Sequence, residues 1–529
     1  MIGIAVVLGK KPVAFVSKSQ PIIIHGAPNA RKKGMIRGKY RRKVRFPTTT
    51  SNNKESSRRA ASSPAHPRTT RRRLHGSSAA PSILEERHKQ QALKTDSSPH
   101  TTREPSAAAS LYPHSHGKRR KRKNKDNMAA PQSLHGQYQK SIPDLFTQLP
   151  LIRDQLVTET SKTQDATIDQ CLPFLKGLAS SQTGPFNQFG VPRLDRDAHI
   201  SFLYDSLESY PERFVGLDSS RPWMVYWALT GLHLLGEDVT KFRERVIATA
   251  APMQNSTGGF GGGHGQMSHC ASSYALVLSL ALVGGQNAFK LVNRTAMWQW
   301  LGKLKQADGG FQVTLGGQTF EGGISGSPGT EAHGAYAFCA LACLYILGDP
   351  KEMIKRFIYG SSALNIMALS YTTCSGSHWV GGCWPLVQAA VNGIQSTSTP
   401  SYSGSGSLFH REGLIRYILS CCQGPHGGLR DKPGKNPDSY HTCYILAGLS
   451  TAQHHHFHTG IASAGEANNP FPSAFSWSHA PVTASTEQGQ SSVVFNEEDR
   501  LEVVHPLFVI PHRAAEKLRE WCQKHPLEI

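Results

Sequence analysis

The stretch HGGLRDKPGKNPDSYHTCYILAGLS, residues 426–450, puts two carboxylates, Asp431 and Asp438, two amines, Lys432 and Lys435, and one imidazole, His441, into a glycine- and proline-rich loop that runs into an apolar helical pattern. Ammonium groups and a helix start attract anions, and a carboxylate beside an imidazole is half of a metal shell or a proton-transfer pair. Two more histidines stand at the head of apolar helical patterns, His269 in MSHCASSYA and His333 in EAHGAYAFC. A lone histidine in such a place is ordinarily a packed or capping residue, but three in comparable positions weigh toward ligand or acid–base work. Cys374 or Cys383 could add a thiolate, and Cys, His and a carboxylate form a normal shell for catalytic zinc with one position left open. There is no Cys-x-x-Cys pair to strengthen that reading.

Two further motifs admit two readings each. SRPWMVYWALTGLHLL sets Trp223 and Trp227 four residues apart on one helical face, with Tyr226 between them, so the stripe is either core or the wall of a cavity for an apolar ligand. HHHFH at 454–458 has the composition of a metal-binding tract, yet it precedes a Gly/Ala/Ser/Pro-rich segment over about 459–490 and is expected to be a flexible surface run.

The elements that must position these groups are helices. From about residue 140 the apolar residues recur at helical spacing with almost no alternation of period two, which predicts an all-α body with helices near 239–254, 271–283, 288–305, 335–347, 412–422 and 440–450. Short glycine loops precede several of them: TGGFGGGHG, DGGFQVTLGG, EGGISGSPG and HGGLRDKPG, with Gly-Gly pairs starting at 258, 309, 322 and 427. A step of about fifty residues is two helices plus connections, so the spacing describes helical hairpins in series, an α/α toroid. The 13-residue step from 309 to 322 has no room for a helix pair, so one hairpin is missing. The glycines either make tight turns alone or aim helix N-termini at an anion in a central space.

Composition bounds the rest. The 529 residues carry a formal charge of +21, but residues 1–127 hold 30 Lys/Arg and 6 Asp/Glu, leaving 28 and 31 for residues 128–529. The body is therefore near neutral, and no nucleic acid is expected as its partner. Residues 1–127 are read as a disordered basic tail ending in GKRRKRKNKDN, a solvated segment that leaves nuclear, organellar or RNA-contacting roles open. The apolar stretch at the start is too short for a membrane span. All ten cysteines lie between Cys171 and Cys522, several inside helical patterns, which fits a reduced, cytoplasmic protein.

Taken together, SRPWMVYW, GGFGGGHGQMSH, EGGISGSPGTEAHGAYAFC and GLRDKPGKNPDSYHTCYILAGLSTAQH resemble the β subunits of the protein prenyltransferases. The DKPGK…YHTCY form resembles the farnesyl-transferring branch more than the geranylgeranyl-transferring one. The likeness runs from about residue 193 to 458, and HPLFVI at 506–511 is similar to the family's C-terminal end. It divides the chain into the tail, a toroid over 128–458, a flexible linker over 459–495 and a C-terminal segment over 496–529 that packs on the toroid.

The resemblance implies a catalytic β subunit that works with an α subunit, binds one Zn2+ and, at the diphosphate, Mg2+, and transfers a farnesyl group from farnesyl diphosphate to the cysteine of proteins ending in CaaX. It implies His441, Asp431 and Cys383, with Cys374 as the alternative cysteine, around the metal. His333 and Tyr440 would stand beside the reacting atoms, His333, Tyr336 and Cys339 along the isoprenoid, and Trp223, Trp227, His269 and Tyr440 around the peptide. Two departures count against full activity. VTLGGQTFEGG skips a hairpin that the family carries between Gly317 and Thr319, and there is no Asp between Asp349 and Asp431 to supply a carboxylate ligand. An inactive relative that binds the α subunit or prenyl groups is the competing reading. A terpene cyclase would need a DxDD-type acid run, which the body lacks.

Overall fold

The computed structural model describes residues 142–147, 157–179, 185–208, 210, 212–305, 312, 314–315, 334–347, 381–393, 410–459, 472–483 and 493–527. The α-helices of six residues or more in these stretches begin with α1 (Glu159–Leu175), α2 (Arg196–Glu208), α3 (Arg221–Leu234), α4 (Arg243–Ala250), α5 (Cys270–Val283), α6 (Gln286–Leu291), α7 (Arg294–Leu304), α8 (Gly334–Leu347), α9 (Cys383–Asn392), α10 (Arg411–Tyr417) and α11 (Ser439–Gln453). Strands β1 (His454–His458) and β2 (Trp477–Pro481) follow, then α12 (His512–Lys524).

Local sequence explains where these helices begin. Thr158 and Ser161 exchange side-chain and backbone bonds in a capping box at the head of α1. Pro222 opens α3 where a missing N–H costs nothing. Asn293 caps α7, accepting from the Ala296 N–H at 3.0 Å, and so splits the single helix expected over 288–305 into α6 and α7. The helix expected over 412–422 ends in a wider π turn, Ile418–Cys422.

Three helices are apolar nearly all round and form the centre. α3 packs on both α5 and α11, although more than two hundred residues separate α3 from α11. Each has a more polar partner outside it: α2 on α3, α4 on α5, α10 on α11. An inner helix buried on every side needs such a cover, which is why the hairpin is the repeating unit.

Glycine turns join the pairs. Gly258 and Gly427 have φ of 97° and 88°, and an added Cβ would stand 2.1 Å from the carbonyl oxygen of Ala296 and of Ala198 respectively, so only glycine fits.

The C-terminal segment is laced across the helix ends. Ser450 Oγ donates to the Glu502 carbonyl at 2.7 Å, Gln453 Nε2 donates to the Asp499 carbonyl at 3.0 Å, and Tyr226 Oη donates to the Val509 carbonyl at 2.9 Å. Arg193 meets the buried Asp499 at 2.7 Å.

One expectation is overturned. HHHFH is not an exposed run: His454, His455, His456, Phe457 and His458 are all buried in β1. The segment assigned to a flexible linker contains its partner, β2, which pairs antiparallel with His456 opposite His479. Neutral imidazoles are flat and uncharged, and packed against aromatic neighbours they can be taken into a core; composition alone does not reveal that. Tail residues 1–127 lie outside the described residues. No helix among the described residues is long and apolar enough to cross a membrane.

Candidate functional site

The loop that opens the sequence argument ends at the start of α11. Asp438 is the N-cap: its Oδ1 accepts from the His441 N–H at 2.7 Å while Oδ2 meets His441 Nδ1 at 2.8 Å. One carboxylate therefore ends the loop and orients the imidazole. The contact makes Nδ1 the donor to the carboxylate and leaves the lone pair on Nε2. His441 is only 4% exposed, so this orientation is held by packing.

Around His441 stands an aromatic wall. The Tyr440 ring lies 5.0 Å from the His441 ring, 5.0 Å from that of Tyr444 and 5.2 Å from that of Trp227. Trp223 stacks on Trp227 at 5.8 Å and reaches Tyr274 of α5 at 6.1 Å. Trp223, Trp227, Tyr274 and Tyr440 are half-buried positions on helices that are otherwise almost wholly buried. The inner helices α3, α5 and α11 thus share one aromatic surface. Burial pushes the hydroxyls of Tyr274 and Tyr444 up, keeping them neutral donors.

Cysteines continue this surface. Cys339 on α8 is exposed, and its thiol contributes to the upward shift of Tyr274 and of Cys383. Desolvation pushes Cys339 itself up as well. Cys383, at the first turn of α9, is buried, and burial foremost pushes its thiol up.

Other expected site residues fall elsewhere or apart. His269 caps α5, its Nδ1 accepting from the Ala271 N–H at 3.1 Å; it corresponds in place to Asp438 and not to His441. Lys432 turns to α1, donating to Thr167 Oγ1 at 2.9 Å. Lys432 and Lys435 line an outer groove of about 460 Å³ with Gln170 and Phe174. Asp431 is half-buried, and its carbonyl accepts from Tyr417 Oη at 3.4 Å. Among the described residues no group of three His, Cys, Asp or Glu side chains is placed to hold a metal ion. His333 and Cys374 lie outside the described residues, as does the side chain of Tyr336. Sequence reasoning missed the orienting role of Asp438 and the part played by Tyr274 and Tyr444; the Asp-x-x-His spacing at a helix head was the available signal for the first.

Outer–inner helix pairs, glycine turns that end at inner-helix starts, and an aromatic wall beside an oriented histidine define an α/α toroid with its site on the inner helices. The prenyltransferase alpha-alpha toroid domain matches residues 194–319, 312–364 and 373–510, together more than half of the chain, and the chain belongs to that family. It is 41% identical over 445 residues to the protein farnesyltransferase subunit beta of Pyricularia oryzae, covering 72% of this chain and 84% of that relative. The protein farnesyltransferase subunit beta of Schizosaccharomyces pombe is 31% identical over 411 residues, covering 69% of this chain and 97% of that relative. At a greater distance, the geranylgeranyl transferase type-1 subunit beta of Arabidopsis thaliana is 21% identical over 335 residues, covering 48% of this chain and 84% of that relative.

Proposed function

We propose that this chain is the β subunit of a protein farnesyltransferase, which joins the farnesyl group of farnesyl diphosphate to the cysteine of a protein ending in CaaX. The observation that carries the reading is the 41% identity over 445 residues to a farnesyltransferase subunit beta, covering 72% of this chain. In the reaction the cysteine sulfur bonds to C1 of the isoprenoid, the C1–O bond breaks, and diphosphate leaves with the electron pair.

The chain's own residues supply surface and orientation. Trp223, Trp227, Tyr274 and Tyr440 present flat apolar faces that can hold an isoprenoid or the aliphatic end of a peptide and exclude water from the reacting carbon. His441, with Nδ1 tied to Asp438, offers Nε2 to a metal or to the thiol proton. Among the described donors, His441 has a ring nitrogen oriented to serve a zinc ion. Zinc, and Mg2+ at the diphosphate, enter the proposal through the resemblance of the loop. So do the α subunit as partner and His333 as a diphosphate contact. The nine described cysteines are free thiols, which supports a reducing compartment such as the cytoplasm.

The test is co-expression with an α subunit and transfer of labelled farnesyl to a CaaX peptide, with SaaX as control and bound zinc measured in the same sample. Turnover with about one zinc per chain is expected. A stable heterodimer with neither turnover nor zinc would overturn the reading in favour of a non-catalytic subunit, the alternative that the lack of any Asp between Asp349 and Asp431 favours.

A further inference from the structure

Away from the aromatic wall, five imidazoles from three segments meet in one cluster, four of them buried and His479 at its exposed rim. His479 of β2 lies opposite His456 of β1, its ring 5.0 Å from that of His512 and 6.4 Å from that of His454. His512 is 4.6 Å from His505 and stacks on His456 at 6.2 Å. His454, His456, His505 and His512 are each at most 7% exposed. Neither ring nitrogen of His456 has a hydrogen-bond partner among the described residues, nor has Nε2 of His512. No three side chains here converge tightly enough for a metal ion, so the cluster is not a preformed metal centre.

The charges around it oppose protonation more than they favour it. Arg411 of α10 donates to the carbonyls of Thr451, Ala452 and His454 and faces His454, His455 and His456. Arg500 faces His454, and Arg519 of α12 faces His505. The carboxylates within reach are Glu497 toward His454 and Glu502 and Glu516 toward His479, all at the rim. A proton added at the centre meets neighbouring imidazoles and Arg411 before it meets any carboxylate.

We propose that this cluster is a proton-sensitive latch: neutral imidazoles hold the β1–β2 hairpin and the C-terminal segment onto the inner helices, and acid releases them. Burial lowers His454 to about 4 and His455 and His512 to about 3, and holds His456 and His505 well below the ordinary range. A folded value below the unfolded one means the released state binds more protons, so closure is complete above about 6.5 and is lost as pH falls below it. Between pH 7 and 5 each such histidine raises the open fraction about 25-fold, and His454, His455 and His512 together about 10⁴-fold. The released segment includes the residues that bond Ser450 and Gln453 of α11, the helix whose other end carries His441.

The experiment is amide hydrogen exchange of the full-length chain at pH 7.5, 6.5, 5.5 and 5.0, corrected for intrinsic rates and read on peptides covering 454–458, 477–483 and 500–512. Opening should rise steeply below pH 6.5 in these peptides and stay flat in α5. In His456→Leu the logarithmic slope should fall by about one proton. Imidazole C2–H exchange in the wild-type chain gives a second reading that needs no variant: His456 and His512 should behave as neutral groups down to the opening pH. Ordinary titration of His456 and His512 near 6.5 with the hairpin still protected would overturn the latch, as would an unchanged slope in a folded His456→Leu chain.

Discussion

The loops 254–273 and 423–442 are two castings of one backbone with different chemistry. In both, an isolated antiparallel bridge spans the turn, Gln254 with Phe260 and Gln423 with Leu429. In both, a hydroxyl on the following inner helix accepts from the bridge residue's N–H at 2.8 Å, Ser273 for Phe260 and Thr442 for Leu429. The Gly-Gly pair presses on the carbonyl at the head of an outer helix, Ala296 in one and Ala198 in the other. The difference lies at the cap. In the first loop the cap is His269 itself, its ring spent on the Ala271 N–H. In the second the cap is Asp438, and the imidazole stands three residues later, free to present Nε2. Moving the histidine from the cap to the first turn leaves a ring lone pair that the cap does not use, and the shared scaffold tolerates this because the cap needs only an acceptor.

Six substitutions, in four sets, probe this comparison. Gly258→Ala and Gly427→Ala should each cost about 3 kcal/mol or more, because the methyl meets a carbonyl oxygen at a positive φ. Urea midpoints should fall alike for the two; unequal losses would break the equivalence of the loops. Asp438→Asn keeps a cap acceptor but offers Nδ1 a donor, which moves the imidazole proton to Nε2. Farnesyl transfer should drop about 10- to 100-fold with little change in melting temperature; equal activity would remove Asp438 from the site. Thr442→Val and Ser273→Ala should each cost about 1–2 kcal/mol by leaving a buried N–H unpaired. His269→Ala should lose about 0.5–1 kcal/mol of stability with turnover number unchanged. A loss of turnover as large as that from Asp438→Asn would show that the first loop also carries chemistry.

Much of this was legible before any coordinates. The helix over Cys270–Val283 was expected within one residue because an apolar run bounded by a histidine and Gly-Gly has few alternatives. Trp223 and Trp227 were placed together by spacing, and their stack bears it out. The split at Asn293 was missed because one capping bond outweighed a continuous apolar pattern. HHHFH was misread because polarity of residue type stood in for burial.

Sequence by itself determined the helical body, the glycine turns that admit no side chain, and which residue types could bind or react, since periodicity and steric exclusion act over a few residues. Only the tertiary structure decided that α11 returns to α3 so that Tyr440 meets Trp227, that His269 is spent as a cap while His441 is oriented, and that a run of histidines is core. Those outcomes depend on contacts between residues hundreds of positions apart, and on which nitrogen finds a partner once the chain has closed.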